Sequence, residues 1–157
     1  MTSELRVDRI VPTTGVPTGG GGGIIQVKQS LYTGYDTYSN TSFTALSGFT
    51  VTITPTRADS KMLIILNLLI EARSNVMIGM QLTRGGSTIF ANPAGYRDTN
   101  ASSGGYCSMT YLDSPATTNA VTYGVETAAN AATNYTINNY FGSGPGNSFL
   151  TVMEVSG

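Results

Sequence analysis

From Ile24 onward apolar and polar residues alternate with a period of two, and the helical period of three to four is almost absent. Val51 and Ile53 alternate with Thr50, Thr52 and Thr54 ahead of Pro55, which predicts a half-buried strand with a stop. Lys61–Arg73 is apolar on both faces through Leu63–Leu66 and Leu68–Ile70, so it predicts a central strand covered on each side. Val76, Ile78, Met80 and Leu82 alternate with Met77, Gly79, Gln81 and Thr83. Gly85-Gly86 then supplies the positive φ angles of a tight hairpin turn, and Ser87–Phe90 is the expected returning strand.

The same theme recurs in Tyr106–Leu112, in Val121, Tyr123 and Val125, in Tyr135, Ile137 and Phe141, and in Phe149–Val155. Asp113-Ser114-Pro115, Asn130-Ala131-Ala132 and Gly142–Asn147 separate these runs with turn-forming residues. Glu126–Thr133 is rich in alanine but too short to stand as a helix, and it reads as a loop, as does Asn92–Gly105. The expectation is an all-β, antiparallel β-sandwich, jelly-roll-like, of about 8–9 strands.

Residues 1–23 differ in kind. They offer the isolated apolar residues Leu5, Val7 and Ile10, then Pro12 and Pro17, then the run Gly19–Gly23. Consecutive glycines lose too much backbone entropy to sit inside a regular element. The predicted organisation is an extended N-terminal arm and Gly-rich hinge over 1–23, followed by a sandwich domain over 24–157. Leu5 and Val7 alternate as one short strand would if a partner sheet accepted it, with Pro12 ending the pairing.

Composition narrows the function. Charged residues make up 11% of the 157, against roughly 25% in an ordinary soluble domain, so much of the surface is Ser, Thr, Asn, Gly and Tyr. Such a surface suits a protein flanked by neighbouring subunits, and a robust extracellular β-domain would look the same. Eight basic residues are scattered over a chain of net charge −1, which leaves no stripe able to neutralise several phosphates and argues against nucleic-acid binding. The longest apolar run, Met62–Ile70, is far short of the roughly 20 residues of a membrane helix, and the first residues, Met-Thr-Ser-Glu-Leu-Arg, lack a signal-peptide core.

Histidine is absent, which removes the usual general base and the commonest metal ligand, and a single cysteine, Cys107, builds neither a disulfide nor an ordinary zinc site. The acids are spread singly; a glycosidase would need two of them, such as Asp98 and Asp113, brought about 5–9 Å apart. Gly19–Gly23 leads into Ile24-Ile25-Gln26 rather than the Lys-Ser/Thr of a phosphate-binding loop. No catalytic, cofactor or metal residue is therefore expected. What remains is recognition by flat amphipathic rings: Tyr32, Tyr35 and Tyr38 in a polar stretch, and Tyr96, are candidates to stack on a host-surface glycan or a protein.

Several stretches resemble small virion proteins of tailed bacteriophages, particularly those of cyanobacterial and marine hosts. These are Ser3-Glu4-Leu5-Arg6-Val7-Asp8-Arg9-Ile10 with Thr14-Gly15; Gly23–Val27; Thr50–Pro55; Ser60–Ile65; Tyr111–Pro115 with Tyr123; and Phe149–Val155. The resemblance implies a tail-fibre or appendage subunit located in the virion, with a jelly-roll module like that of C1q and tumour-necrosis factor. It also implies self-association, with a trimer favoured, and docking onto other virion proteins through an arm that includes Leu5, Val7, Asp8 and Ile10. A fibre shaft is missing, which brings in two relatives, a head-decoration (cement or knob) capsid protein and a short tail-appendage subunit; a receptor-binding, lectin-like adhesin is the alternative of another class.

Overall fold

The computed structural model describes residues 23–72, 75–97, 103–139 and 146–156. Among them are ten strands and no helix: β1 (Ile24–Tyr32), β2 (Asp36–Tyr38), β3 (Thr44–Ile53), β4 (Lys61–Ala72), β5 (Met77–Arg84), β6 (Ser87–Arg97), β7 (Ser103–Asp113), β8 (Val121–Ala129), β9 (Tyr135–Ile137) and β10 (Ser148–Val155). The arm segment through residue 22, with Leu5, Val7, Asp8 and Ile10, lies outside the described residues, as do Arg73, Asp98 and Phe141.

The pairing follows one rule. β5 pairs with β6, β4 with β7, β3 with β8, β2 with β9 and β1 with β10, all antiparallel. The chain is thus one long antiparallel ribbon, folded back at Gly85-Gly86, where both φ angles are positive (57° and 81°) and only glycine adopts them without strain. Rolling the ribbon closes two sheets through the additional pairings β10–β4, β4–β9 and β5–β8. Sheet I runs β1-β10-β4, with β7 on the far side of β4 and β9-β2 continuing along the last residues of β4. Sheet II runs β3-β8-β5-β6. This is jelly-roll connectivity, reached from the chain's own pairing, and the sandwich expected from the alternation is present.

The core lies between the sheets. Met62, Ile64, Leu66, Leu68 and Ile70 of β4 face Ile78, Met80 and Leu82 of β5, Tyr123 and Val125 of β8, and Phe49, Val51 and Ile53 of β3, all at most 4% exposed. Leu150 and Val152 of β10 complete the layer. At roughly 1.5–3 kcal/mol for each fully buried aliphatic side chain, this one layer is the main source of stability.

At three points buried polar residues form hydrogen-bonded clusters, and the first of these ties the two sheets together. At one, the Asp113 carboxylate at the end of β7 accepts from Arg84 Nη1 at 2.8 and 2.9 Å and from Tyr123 Oη at 2.7 Å, so sheet I is clamped to both central strands of sheet II. At another, Glu154 Oε1 accepts from the Thr56 amide (2.8 Å) and hydroxyl (2.7 Å), and Oε2 accepts from Gln26 Nε2 (2.6 Å). Burial pushes this carboxyl's pKa up, but the hydrogen bonds outweigh it and hold the group below its ordinary value. At the third, Asn138, in the left-handed region at φ 61°, donates to the carbonyls of Tyr32 and Gly34 and accepts from Ser148, which in turn accepts from the Leu69 amide at 2.9 Å.

Four expectations need correction. The strands number ten because Asp36–Tyr38 adds a short one that pairs with β9. The alanine-rich segment does not begin as a loop: Glu126–Ala129 finishes β8, where Ala128 sits opposite Gly79 and Ala129 opposite Ile78, small residues admitted by a close-packed sheet. The stretch expected as a loop from Asn92 instead continues β6 through Arg97, and 103–105 open β7. Finally, β4 is central in its sheet and its inner face is covered throughout, but on the other face Leu63, Ile65 and Asn67 are only partly covered within the chain, while Leu69 and Glu71 beyond them are buried.

Candidate functional site

The uncovered face of β4 defines the surface of most interest. Leu63, Ile65 and Asn67 point out of sheet I and are partly exposed, and strand register fixes their neighbours. One row across the sheet reads Val27, Met153, Leu63, Leu112; the next Gln29, Thr151, Ile65, Thr110; the third Leu31, Phe149, Asn67, Ser108; and Tyr106 lies beside Leu69 beyond them. Val27, Leu31, Tyr106 and Leu112 are each more than half exposed. Period-two alternation put one set of side chains in the core and should have put polar residues here. In β4, β10 and β1 it instead placed a second apolar set.

The electrostatics match. Lys61 ends the face on one side, donating from Nζ to Ser114 Oγ at 2.9 Å, and Glu71 ends it on the other, 1% exposed. Between them Gln29 Nε2 donates to Thr151 Oγ1 (2.8 Å) and Ser108 Oγ to Asn67 Oδ1 (3.1 Å), both within the face. Covering this face therefore displaces water from apolar groups without stranding charges. Four strands about 4.8 Å apart, over the seven residues of β4 that pair with β10 at ~3.4 Å each, give a four-strand face of roughly 450 Å². That is a little over half of the roughly 800 Å² per partner of a standard protein–protein interface.

The opposite outer face, that of sheet II, is built differently. Its rows read Thr52, Thr122; then Thr50, Gly124, Thr83; then Ala45, Glu126, Gln81, Ala91. A shallow depression of about 340 Å³ lies among Thr50, Thr83, Gly85, Thr122 and Gly124. Phe43 is the large apolar residue that reaches this side, and its ring covers Gly79, where a side chain would collide with it.

The predicted recognition tyrosines do not form one cluster. Tyr32 closes β1 with its ring 5.3 Å from that of Phe49 and its hydroxyl on Asp36; Tyr38 stacks on Tyr135 at 5.7 Å. Desolvation and the Asp36 carboxylate raise the Tyr32 pKa, and desolvation likewise raises that of Tyr38. Tyr35, 57% exposed in the β1–β2 connection, is the ring of the three that stands free of the core. Tyr96 is at the other flank, on β6, with its hydroxyl 2.9 Å from Ser103 Oγ.

Chemistry-bearing groups are few. Cys107 is buried, its thiol pKa raised by desolvation and its Sγ 3.0 Å from the Gly95 carbonyl oxygen, so it acts as a small core side chain. Asp113 is fully engaged by Arg84 and Tyr123. A cleft of about 250 Å³ is lined by Thr37, Glu71, Asn134, Tyr135, Thr136 and Asn139, with a single carboxylate in its lining. No group of three metal-ligating side chains occurs among the described residues.

Among solved structures the chain is similar to a protein of the T13 particle of infectious bursal disease virus, at 10% identity and a TM-score of 0.48 over 92% of this chain and 42% of that one. A protein of the Gx strain of the same virus matches at 12% identity and 0.46, over 92% and 43%. Dimeric latent PorU from Porphyromonas gingivalis matches at 15% identity and 0.40, over 90% and 14%. The chain spans less than half the length of each. At these scores the likenesses carry nothing about what this chain does. No protein-family model matches the sequence, and no curated protein sequence matches it.

Proposed function

We propose that this chain is a structural subunit of a bacteriophage particle, a tail-fibre or appendage component without catalytic activity. Its sandwich, 24–157, associates with further copies of itself, and its arm, 1–23, attaches the assembly to other virion proteins through Leu5, Val7, Asp8 and Ile10. The observation that carries self-association is the apolar outer face of sheet I, uncharged in its middle rows, where Gln29 bonds Thr151 and Ser108 bonds Asn67. Two such faces brought together meet no like charges in their middle rows. The phage setting is supported by the resemblance of the arm motif and of the β3, β4, β7 and β10 stretches to small virion proteins.

The experiment is incorporation. Full-length protein and a variant lacking residues 1–18 are expressed during infection, and purified particles are assayed by quantitative mass spectrometry. The full chain is expected in particles and the shortened chain, still folded by circular dichroism, is expected to be absent from them. Equal incorporation of both contradicts docking by the arm, and absence of the full chain from particles contradicts the virion assignment.

A further inference from the structure

A second surface is visible at the sheet edges, where unpaired backbone groups await a partner unless something blocks them. Among the described residues, three of the four long edge strands carry such a block. β1 has a register shift between Ile24 and Gln26 and an exposed Lys28. β3 has an irregularity between Ala45 and Thr50 that includes Gly48 at φ 73°. β6 contains Pro93 and two register shifts. β7 has none of these: its residues pair with β4 without interruption from Met62↔Asp113 to Ala72↔Ser103. It holds no Lys, Arg or Pro, and its one acid is already neutralised by Arg84.

We infer that β7 pairs antiparallel with β7 of a second copy of this chain, about a two-fold axis at Met109. The sequence of the strand is self-complementary about that point. Tyr106 falls opposite Leu112 of the other copy and Ser108 opposite Thr110, so apolar meets apolar and hydroxyl meets hydroxyl on the outer face. Moving the axis by one residue sets Leu112 against Gly104 or Ser108 instead. The two-fold also brings a partner to the open flank between β6 and β7, where the Phe90 ring stacks on Tyr111 at 5.1 Å and is still 38% exposed. The two sheets I become one continuous sheet, and their apolar faces one surface. This rests on the self-association reading and names an edge contact for it, separate from the face.

The test is the mass of the full chain in solution by sedimentation velocity over a wide concentration range. Wild type is expected at twice the 16.4 kDa of one chain. S108K/T110K places lysines opposite one another on exposed, outward positions and is expected to halve the mass while leaving the circular dichroism and thermal transition unchanged. S108C/T110C is expected to form a disulfide-linked dimer under mild oxidation, reversed by reductant; because Ser108 and Thr110 also lie on the outer face of sheet I, this cross-link is what separates the edge contact from the face. A wild-type monomer, a trimer, an assembly that S108K/T110K leaves intact, or no cross-link in S108C/T110C overturns the inference. If S108C/T110C cross-links and S108K/T110K is monomeric yet enters particles as wild type does, the edge contact stands and its use in the virion falls. A dimer that never enters particles leaves the edge contact standing and removes the virion reading.

Discussion

The two outer faces of the sandwich are made by the same kind of antiparallel strand, yet one is lined by Val27, Leu31, Leu63, Ile65, Leu112 and Met153 and the other by Thr50, Thr52, Thr83, Thr122 and Gly124. Threonine on an open sheet face keeps β-propensity through its branched Cβ while its hydroxyl stays hydrated. Branched aliphatic residues in the same position gain nothing from water. Sheet II is thus finished as a solvent face, and sheet I is finished as one half of a contact. Fold stability and assembly are consequently separable along a single strand, since β4 directs Ile64 to the core and Ile65 to the contact.

The largest expected effect comes from breaking that strand on its inner side. Ile64→Ala should lower unfolding free energy by ~3 kcal/mol, in the range for a large-to-small core change, while Ile65→Ser should change it by less than about 1 kcal/mol. Chemical denaturation of the two variants side by side checks this, and comparable losses from both would mean that Ile65 already belongs to a core. Next in size is the clamp between the sheets. Asp113→Ala leaves Tyr123 Oη and Arg84 without their acceptor and should cost ~2–3 kcal/mol, discounted from the fully buried case because Arg84 is a third exposed. Asp113→Asn, which keeps one acceptor oxygen, should recover part of the loss.

Much of the fold was legible in the alternation. Val76 with the β5 positions Ile78–Leu82, and the β8 positions Val121–Val125, pointed to the core that they form, and Gly85-Gly86 announced the turn at the tip of the ribbon. What the pattern could not supply was length and partner. β6 runs on past Phe90 because it is an edge strand: Pro93 to Gly95 fall in the register shift between the pairs Met80↔Asn92 and Ile78↔Tyr96, where a missing amide is tolerated. β2 escaped notice because three residues carry no period. The apolar character of both faces of β4 was plain in the sequence, but that one face lies open is decided by which strands fold over it. Tyr32 and Tyr38 read as spare rings because Phe49 and Tyr135, on which they pack, are distant in sequence.

The contrast between the faces sharpens with charge. Leu63→Lys should keep the protein out of purified particles, with little change in the folding of the isolated domain, whereas Thr52→Lys on sheet II should leave incorporation as in wild type. Quantitative mass spectrometry of particles made with each variant discriminates, and an equal response would dissolve the distinction.

The smallest expected effect is on acid stability. The Glu154 carboxyl has a folded pKa below its ordinary value of 4.5, so its ionised form is favoured by folding. That contribution is complete above 4.5 and is lost as pH falls through the depressed value. Thermal midpoints should decline over this acid window in wild type and decline less steeply in Glu154→Gln.

The outer face of sheet I as the buried surface of the assembly is tested most directly by hydroxyl-radical footprinting of the protein in purified particles against the isolated, diluted chain. Leu63, Leu112 and Met153 are expected to be oxidised in the isolated chain and protected in particles, with Phe43 on sheet II labelled alike in both. Equal oxidation of Leu63, Leu112 and Met153 in the two states would contradict the account.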